Sequence, residues 1–346
     1  MVFTAQRYRR QIHDLQVFVD DIHVCQTVVL FCFGICTRVA VVNAVYVFSH
    51  KQYVCADFGC AQSSSRIRRK IWITGAKGHV GTALSALLDC REYEIFPTDV
   101  DEVDVTDLEA VNNYARVNRP DIIINCVGYS DVAGCETNPD KAFAVNAVGT
   151  RNLAVMAQSI GAKLIHISTD DIFSGTEDHS YNEFDTPNPR NIYGKSKLAG
   201  EAYIQSFCSR YVILRSSWVY GIGQDFLNTV LSAVKDPSVN ELTVSEYEYA
   251  CPTSASELAR IIEYFIKNEC LGIYHAVCQG SCSRLEYART ILEYANATDK
   301  LKLVPANNNK PVYSVLDNMM LRLEHIEQPK NWKDALKEYI NLSGGC

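Results

Sequence analysis

The chain has 346 residues, 47% apolar and 21% charged, an ordinary globular balance with enough material for one large α/β domain or two moderate ones. A net charge of −7 and the lack of a long basic run exclude a nucleic-acid-binding surface. The 14 cysteines form no C-x-x-C pair and no Cys/His cluster with zinc spacing. No metal site is therefore expected, and the thiols read as reduced core residues of a cytoplasmic protein.

Residues 1–69 do not resemble the rest. Between His23 and His50 the chain runs VCQTVVLFCFGICTRVAVVNAVYVFS, with Arg38 as its one charge. The length suits a membrane span, but an arginine at mid-span costs roughly 2.5–3.5 kcal/mol, so a membrane is not expected as a partner. The basic residues at 7–10 stand too far from this run, with Asp14, Asp20 and Asp21 between, to make a secretory signal. The segment reads as an unassigned extension lying upstream of the true start, with a membrane anchor as the alternative. No Met occurs between Met1 and Met156, so an internal start needs a non-ATG codon.

From Lys70 the pattern changes. KIWITGAKGHVGTALSALL opens with an apolar strand, passes through Gly75, Gly78 and Gly81, and continues as a helix with Val80, Leu84, Leu87 and Leu88 on one face. Strand, glycine turn and helix in that order make an anion site, because the helix N-terminus offers free N–H groups and a positive dipole. EIFPTDV supplies a second strand ending in Asp99, where an acid would meet a ribose. Asp101, Glu102 and Asp104 follow it, so NADH is expected over NADPH. TDLEAVNNYARVNRP then reads as a helix with a Thr106-x-x-Glu109 capping box. A buried strand DIIINCVGYS, a helix from Ala142 to Ser159 and the strand KLIHIS complete the alternation. It predicts a doubly wound parallel sheet, a Rossmann fold, over residues 70–230 and a smaller C-terminal subdomain over 231–346 that sends one segment back to the sheet.

In NPRNIYGKSKLAGE, Tyr193 and Lys197 stand four apart in the first turns of a helix and so share a face. A nearby ammonium favours a phenolate, and the pair is expected to bring Tyr193 below its ordinary pKa for acid/base work. Of the 19 tyrosines, Tyr193 alone has lysine at this spacing.

Gly75-Ala-Lys-Gly78-His-Val-Gly81, Ser168-Thr169-Asp170, Tyr193-x-x-x-Lys197 and Arg215-Ser-Ser-Trp218-Val-Tyr-Gly221 together resemble the extended short-chain dehydrogenase/reductases, and within them the dTDP-4-dehydrorhamnose reductase family. Pro252-Thr253 before an Ala/Glu/Leu helix and PVYSVLDN at 311–318 continue the likeness to about residue 340. The resemblance implies Tyr193 as proton donor to the reduced carbonyl, Lys197 on the nicotinamide ribose and Thr169 hydrogen-bonded to the carbonyl oxygen. It implies a cofactor cradle of Gly75, Gly78, His79, Val80 and Gly81 on the pyrophosphate side, Asp99, Asp104 and Val105 near the adenosine half, and Cys126, Val127 and Gly128 along the cofactor. Ser168, Thr169, Asp171 and Trp218 would face the sugar nucleotide. The implied reaction is hydride transfer from NADH, or NADPH as the second candidate, to C4 of a dTDP-4-keto-6-deoxy sugar. A homodimer is left open.

Asp171 departs from the family, which usually carries tyrosine after Ser-Thr-Asp, and Ala133 replaces an aspartate. Thr169-Asp170-Asp171 also imitates the Thr-Asp-Glu of nucleotide-sugar dehydratases in the same superfamily. A third reading, from another class, is a nucleotide-binding regulatory subunit without turnover, like the β-subunit of methionine adenosyltransferase.

Overall fold

The computed structural model describes residues 68–306 and 312–342, together with a small antiparallel hairpin of Phe48–Ser49 and Gln52–Tyr53. Apart from those four residues and Arg68–Arg69, the extension and its apolar run fall outside the described residues. Among the described residues no helix is long and apolar enough to cross a membrane.

Six parallel strands form the central sheet: β1 (Arg69–Thr74), β2 (Tyr93–Thr98), β3 (Ile122–Asn125), β4 (Lys163–Thr169), β5 (Tyr211–Ser216) and β6 (Gly272–His275), in the order β2-β1-β3-β4-β5-β6. Side chains alternate across each strand. Ile71, Ile73, Ile122, Ile124, Ile165 and Leu214 therefore face one side, where they meet Leu84 of α1 (His79–Leu87) and Leu258, Ile262 and Phe265 of the helix Ala255–Lys267. Trp72, Ile123, Leu164 and Ile213 face the other, against Val111, Leu153 and Ile204 from the helices Leu108–Asn118, Thr150–Ile160 and Ile192–Phe207. Covering helices on both faces explain why the strands read as continuous apolar runs. This is the doubly wound α/β sheet expected from the alternation.

A second core lies in the C-terminal part, where Tyr220, Leu227, Leu285, Tyr287, Trp332 and Leu336 pack together. Small sheets surround it, including the parallel pair Glu241–Ser245 and Lys302–Ala306.

Three local expectations change. The helix Leu108–Asn118 is capped by Asp107, whose carboxylate accepts from the N–H groups of Glu109 and Ala110, whereas Thr106 turns its hydroxyl to Asp104. Both residue types cap well; Asp107 holds the extended backbone at the helix start and so takes the role. Leu87 is 38% exposed because Leu88, one residue past the helix end, takes the buried position. The single helix expected from Ala142 to Ser159 is interrupted by a π-helical stretch at Ala144–Gly149. Its widened turn aims Asn146 inward, where its side chain accepts from Tyr129 N–H and donates to the Ser196 hydroxyl at 2.9 Å.

The helix Ile192–Phe207 is fixed to the sheet by one buried ion pair. Arg215 of β5 donates through Nε and Nη2 to Glu201, with Nη2 2.8 Å from a carboxylate oxygen, and both side chains are excluded from solvent. Removing one partner strands the other charge in a dry interior. Glu201→Ala is expected to lower stability by about 3–5 kcal/mol, and pairing Glu201→Leu with Arg215→Met should recover much of the loss. Urea unfolding of the single and double variants checks this, and an equal loss in both refutes it.

Candidate active site

The carboxyl ends of β1 and β3, where the strand order reverses, form the crevice in which such sheets hold ligands. Gly75 closes β1 at φ 69°, and a side-chain carbon there would come within 2.9 Å of the Cys126 backbone. Only glycine supplies both the left-handed conformation and the close approach. Gly78 then takes the N-cap position of α1 with no side chain accepting from the helix, and Val80 and Gly81 are buried in its first turn. The orphan N–H groups of this helix end thus remain available, and no acid stands in its first turn. That donor set fits a pyrophosphate. His79 extends sideways, its Nε2 lying 3.2 Å from Asp225.

Asp99 sits beside the glycine loop, its carboxylate accepting from Lys77 N–H at 3.0 Å. Asp104 is exposed and turned back on Thr106, and Val105 is a core residue packed with Trp72. The sequence reading missed Lys77, whose ammonium lies 2.8 Å from Asp101. It precedes the second glycine, far in sequence from the acid it neighbours.

The helix Ile192–Phe207 brings Tyr193 and Lys197 to the same crevice. Asn191 caps it, accepting from Gly194 N–H at 2.7 Å. At Gly194 a side-chain carbon would fall 2.0 Å from the Asp171 carbonyl oxygen, so glycine lets the first turn dock on the segment after β4. Thr169, at the end of β4, is close enough to Tyr193 to act on its phenol, while its own hydroxyl donates to the Asp170 carboxylate at 3.2 Å. Cys126, Val127 and Gly128 run past the other side, and a side-chain carbon at Gly128 would lie 3.9 Å from Lys197 Nζ. Burial raises the Cys126 thiol to about 12, so it stays protonated beside the amine.

The expected effect of Lys197 on Tyr193 is overturned. Lys197 Nζ donates to the Ile167 carbonyl at 2.5 Å and lies 3.4 Å from His166 Nε2. Burial raises Tyr193 well above the ordinary phenol range, and the Asp171 and Asp170 charges push it the same way, against the nearby Thr169 hydroxyl. A shared helix face does not decide where a long side chain points, and desolvation outweighs the distant cation.

The acids after Thr169 are also held toward their neutral forms. Asp170 is buried and raised by burial and by Asp171, offset by hydrogen bonds from Ser314 at 2.8 Å and Ser217 at 2.9 Å. Asp171 is raised by burial, offset by Asn191 Nδ2 donating at 2.8 Å and by Arg284. Ser168 is buried with no partner for its hydroxyl among the described residues. Trp218 adopts φ 41°, a left-handed backbone that a bulky residue seldom takes, and the Arg284 guanidinium lies 3.4 Å from its ring centroid. Arg284 was not foreseen, because 66 residues separate it from Trp218. Among the described residues no cluster of potential metal ligands occurs.

Residues 69–343 match the family described as RmlD substrate binding domain. The chain belongs to this family. It is 34% identical over 285 residues to the spore coat polysaccharide biosynthesis protein SpsK of Bacillus subtilis, covering 80% of this chain and 99% of that protein. It is 32% identical over 292 residues to the dTDP-4-dehydrorhamnose reductase of Escherichia coli, covering 78% and 97%. The solved dTDP-4-dehydrorhamnose reductase from Bacillus anthracis, in complex with NADP, is 36% identical with a TM-score of 0.76, over 80% of this chain and 100% of that one. The glycine crevice and the Tyr193/Lys197 helix are thus parts of a reductase-family scaffold.

Lys197 is 3% exposed, and burial, partly offset by Glu201, brings it from 10.5 down to about 8. The folded state therefore binds the proton more weakly than the unfolded chain. The cost is present in full below about pH 8 and is relieved as pH rises from about 8 toward 10.5. A gap of this size is worth on the order of 3 kcal/mol. Lys197→Met is expected to raise the melting temperature near neutral pH, with the advantage shrinking as the solution becomes alkaline. Melting curves at several pH values test this, and a constant or absent gain contradicts it.

Proposed function

We propose that this enzyme reduces the C4 ketone of a dTDP-4-dehydro-6-deoxy sugar, dTDP-4-dehydro-6-deoxy-L-mannose or a near analogue, with NAD(P)H. The observation that carries the reading is the placing of Tyr193, in the first turn of its helix, beside Thr169 at the end of β4, next to a crevice whose free helix N-terminus suits a pyrophosphate. NAD(P)H bound there would supply the hydride. The α1 N-terminus would hold its phosphates, Asp99 a ribose, and Lys197 the ribose nearest the reacting end. Thr169 would orient the substrate carbonyl, and Tyr193 would deliver the proton to its oxygen. A phenol kept protonated by burial is suited to donating, since it reaches the reaction with its proton in place.

Asp171 would face the sugar end of the substrate, pinned by Asn191, with Trp218 and Arg284 forming the wall opposite. The Spore coat polysaccharide biosynthesis protein SpsK stands alongside the rhamnose reductases among the relatives, so the sugar itself is the finer part of the proposal.

The deciding experiment follows NADH oxidation with dTDP-4-keto-6-deoxy sugars. Stoichiometric consumption is expected; release of a 4-keto sugar from dTDP-glucose without net NADH change would end the reductase reading. Tyr193→Phe should lower kcat by about 10²–10⁴-fold while leaving NADH binding, read by fluorescence, nearly unchanged. Retention of half the activity would remove Tyr193 from the mechanism.

Asp99, Asp101 and Glu102 outnumber Lys77 at the ribose edge. A kcat/KM higher for NADH than for NADPH is expected with one substrate. The reverse order would mean that Lys77 governs the site.

A further inference from the structure

Lys197 rests on a buried polar chain whose hydrogen positions can be deduced donor by donor. Val127 N–H is a backbone donor and therefore unambiguous; it lies 3.1 Å from Asn125 Oδ1. That contact fixes the Asn125 amide, leaving Nδ2 as the donor on its other side. One Nδ2 hydrogen meets the Thr150 hydroxyl at 3.3 Å, and this hydroxyl spends its own hydrogen on the Asn146 carbonyl at 2.8 Å. The other Nδ2 hydrogen meets His166 Nδ1 at 3.0 Å. His166 Nδ1 must then accept. The ring is fully buried and held far below the ordinary histidine range, first by burial and then by Lys197, so it is neutral. Its single hydrogen consequently sits on Nε2, which points at Lys197 Nζ from 3.4 Å.

An N–H facing an ammonium is a donor facing donors, whereas a neutral amine offers that N–H a lone pair. We propose that His166 is a positioning residue for Lys197, locked by Asn125 into the tautomer whose N–H faces the amine and disfavours its ammonium form. The other groups around Lys197 leave this effect intact. Cys126, from the end of β3, remains a neutral thiol; Tyr193, on the same helix, remains a neutral phenol; Glu201, one turn on, is paired with Arg215. Burial already lowers Lys197, and the facing N–H acts in the same direction. Thr74 joins the chain from β1, its hydroxyl 3.1 Å from Asn125 Oδ1, so the amine is wired to the strand that ends in the glycine turn. Lys197 is thereby set closer to neutrality than an ordinary lysine. The hydrogen placement does not rest on the role proposed for Lys197 as a ribose-holding group.

The test uses the full-length protein free of ligand, so its outcome is independent of whether the sugar-nucleotide reading holds. Long-range proton–nitrogen spectra of ¹⁵N-histidine-labelled protein report the His166 tautomer in the wild type. The Nε2–H form is expected, and the Nδ1–H form overturns the proposal. Spectra of ¹³C-lysine-labelled protein, with Lys197 assigned through Lys197→Arg, then give its titration midpoint. In His166→Gln the amide can turn its carbonyl oxygen to the ammonium, so the midpoint should rise by ~1 unit or more. An unchanged midpoint in a folded His166→Gln protein refutes the assignment, because a purely structural histidine would leave it where it was. Should that variant fail to fold, the wild-type tautomer still decides the matter.

Discussion

The buried contact between Glu201 and Arg215 is the constraint on which the rest depends. A charge pair in a dry interior tolerates little displacement, because each ångström lost between the partners leaves desolvation uncompensated. It therefore sets the distance of the helix Ile192–Phe207 from the sheet. Tyr193 and Lys197 project from the first turns of that helix, two turns and one turn before Glu201. Their positions above the ends of β3 and β4 follow from a contact that takes no part in the chemistry. Gly194 completes the docking by letting backbone touch backbone.

Around that helix the protein has withdrawn water from several titratable groups at once. Tyr193, Asp170 and Asp171 are driven toward their protonated forms, and Lys197 toward its deprotonated one. Each shift has burial as its first cause. The result is a site shielded from water, in which hydrogen bonds carry the orientation: Asn191 to Asp171, Ser217 and Ser314 to Asp170. In an oriented site shielded from water, little solvent has to reorganise as charge moves.

Much of this was legible because it is written in local pattern. The alternation of Ile71, Trp72 and Ile73 marks a strand covered on both faces, and Gly75 marks a turn that no other residue could make. The order of strands and helices then places Thr169, Tyr193 and Cys126 at one edge. What escaped depends on choices that local pattern leaves open. Thr106 and Asp107 are both good caps, and only the backbone path selects between them. The spacing of Tyr193 and Lys197 is right for contact, yet the ammonium turns to a carbonyl on β4. His166 looks like an ordinary core residue of KLIHIS, and Arg284 carries no motif at all. Both become notable only when distant segments are brought together.

The open N-terminus of α1 has a consequence outside catalysis. Most helices described here have their first turn satisfied by a side chain, as Asp107 and Asn191 do for theirs, whereas α1 begins at Gly78 without one. A helix end capped by glycine in this way forgoes about a few tenths of a kcal/mol that a capping side chain would contribute. The chain thus folds with part of its stability deferred to a partner that arrives later. A ligand that binds the folded form alone adds RT ln(1 + [L]/Kd), about 2.7 kcal/mol at a hundredfold excess over Kd. The stability of the folded protein is in this way tied to the supply of dinucleotide.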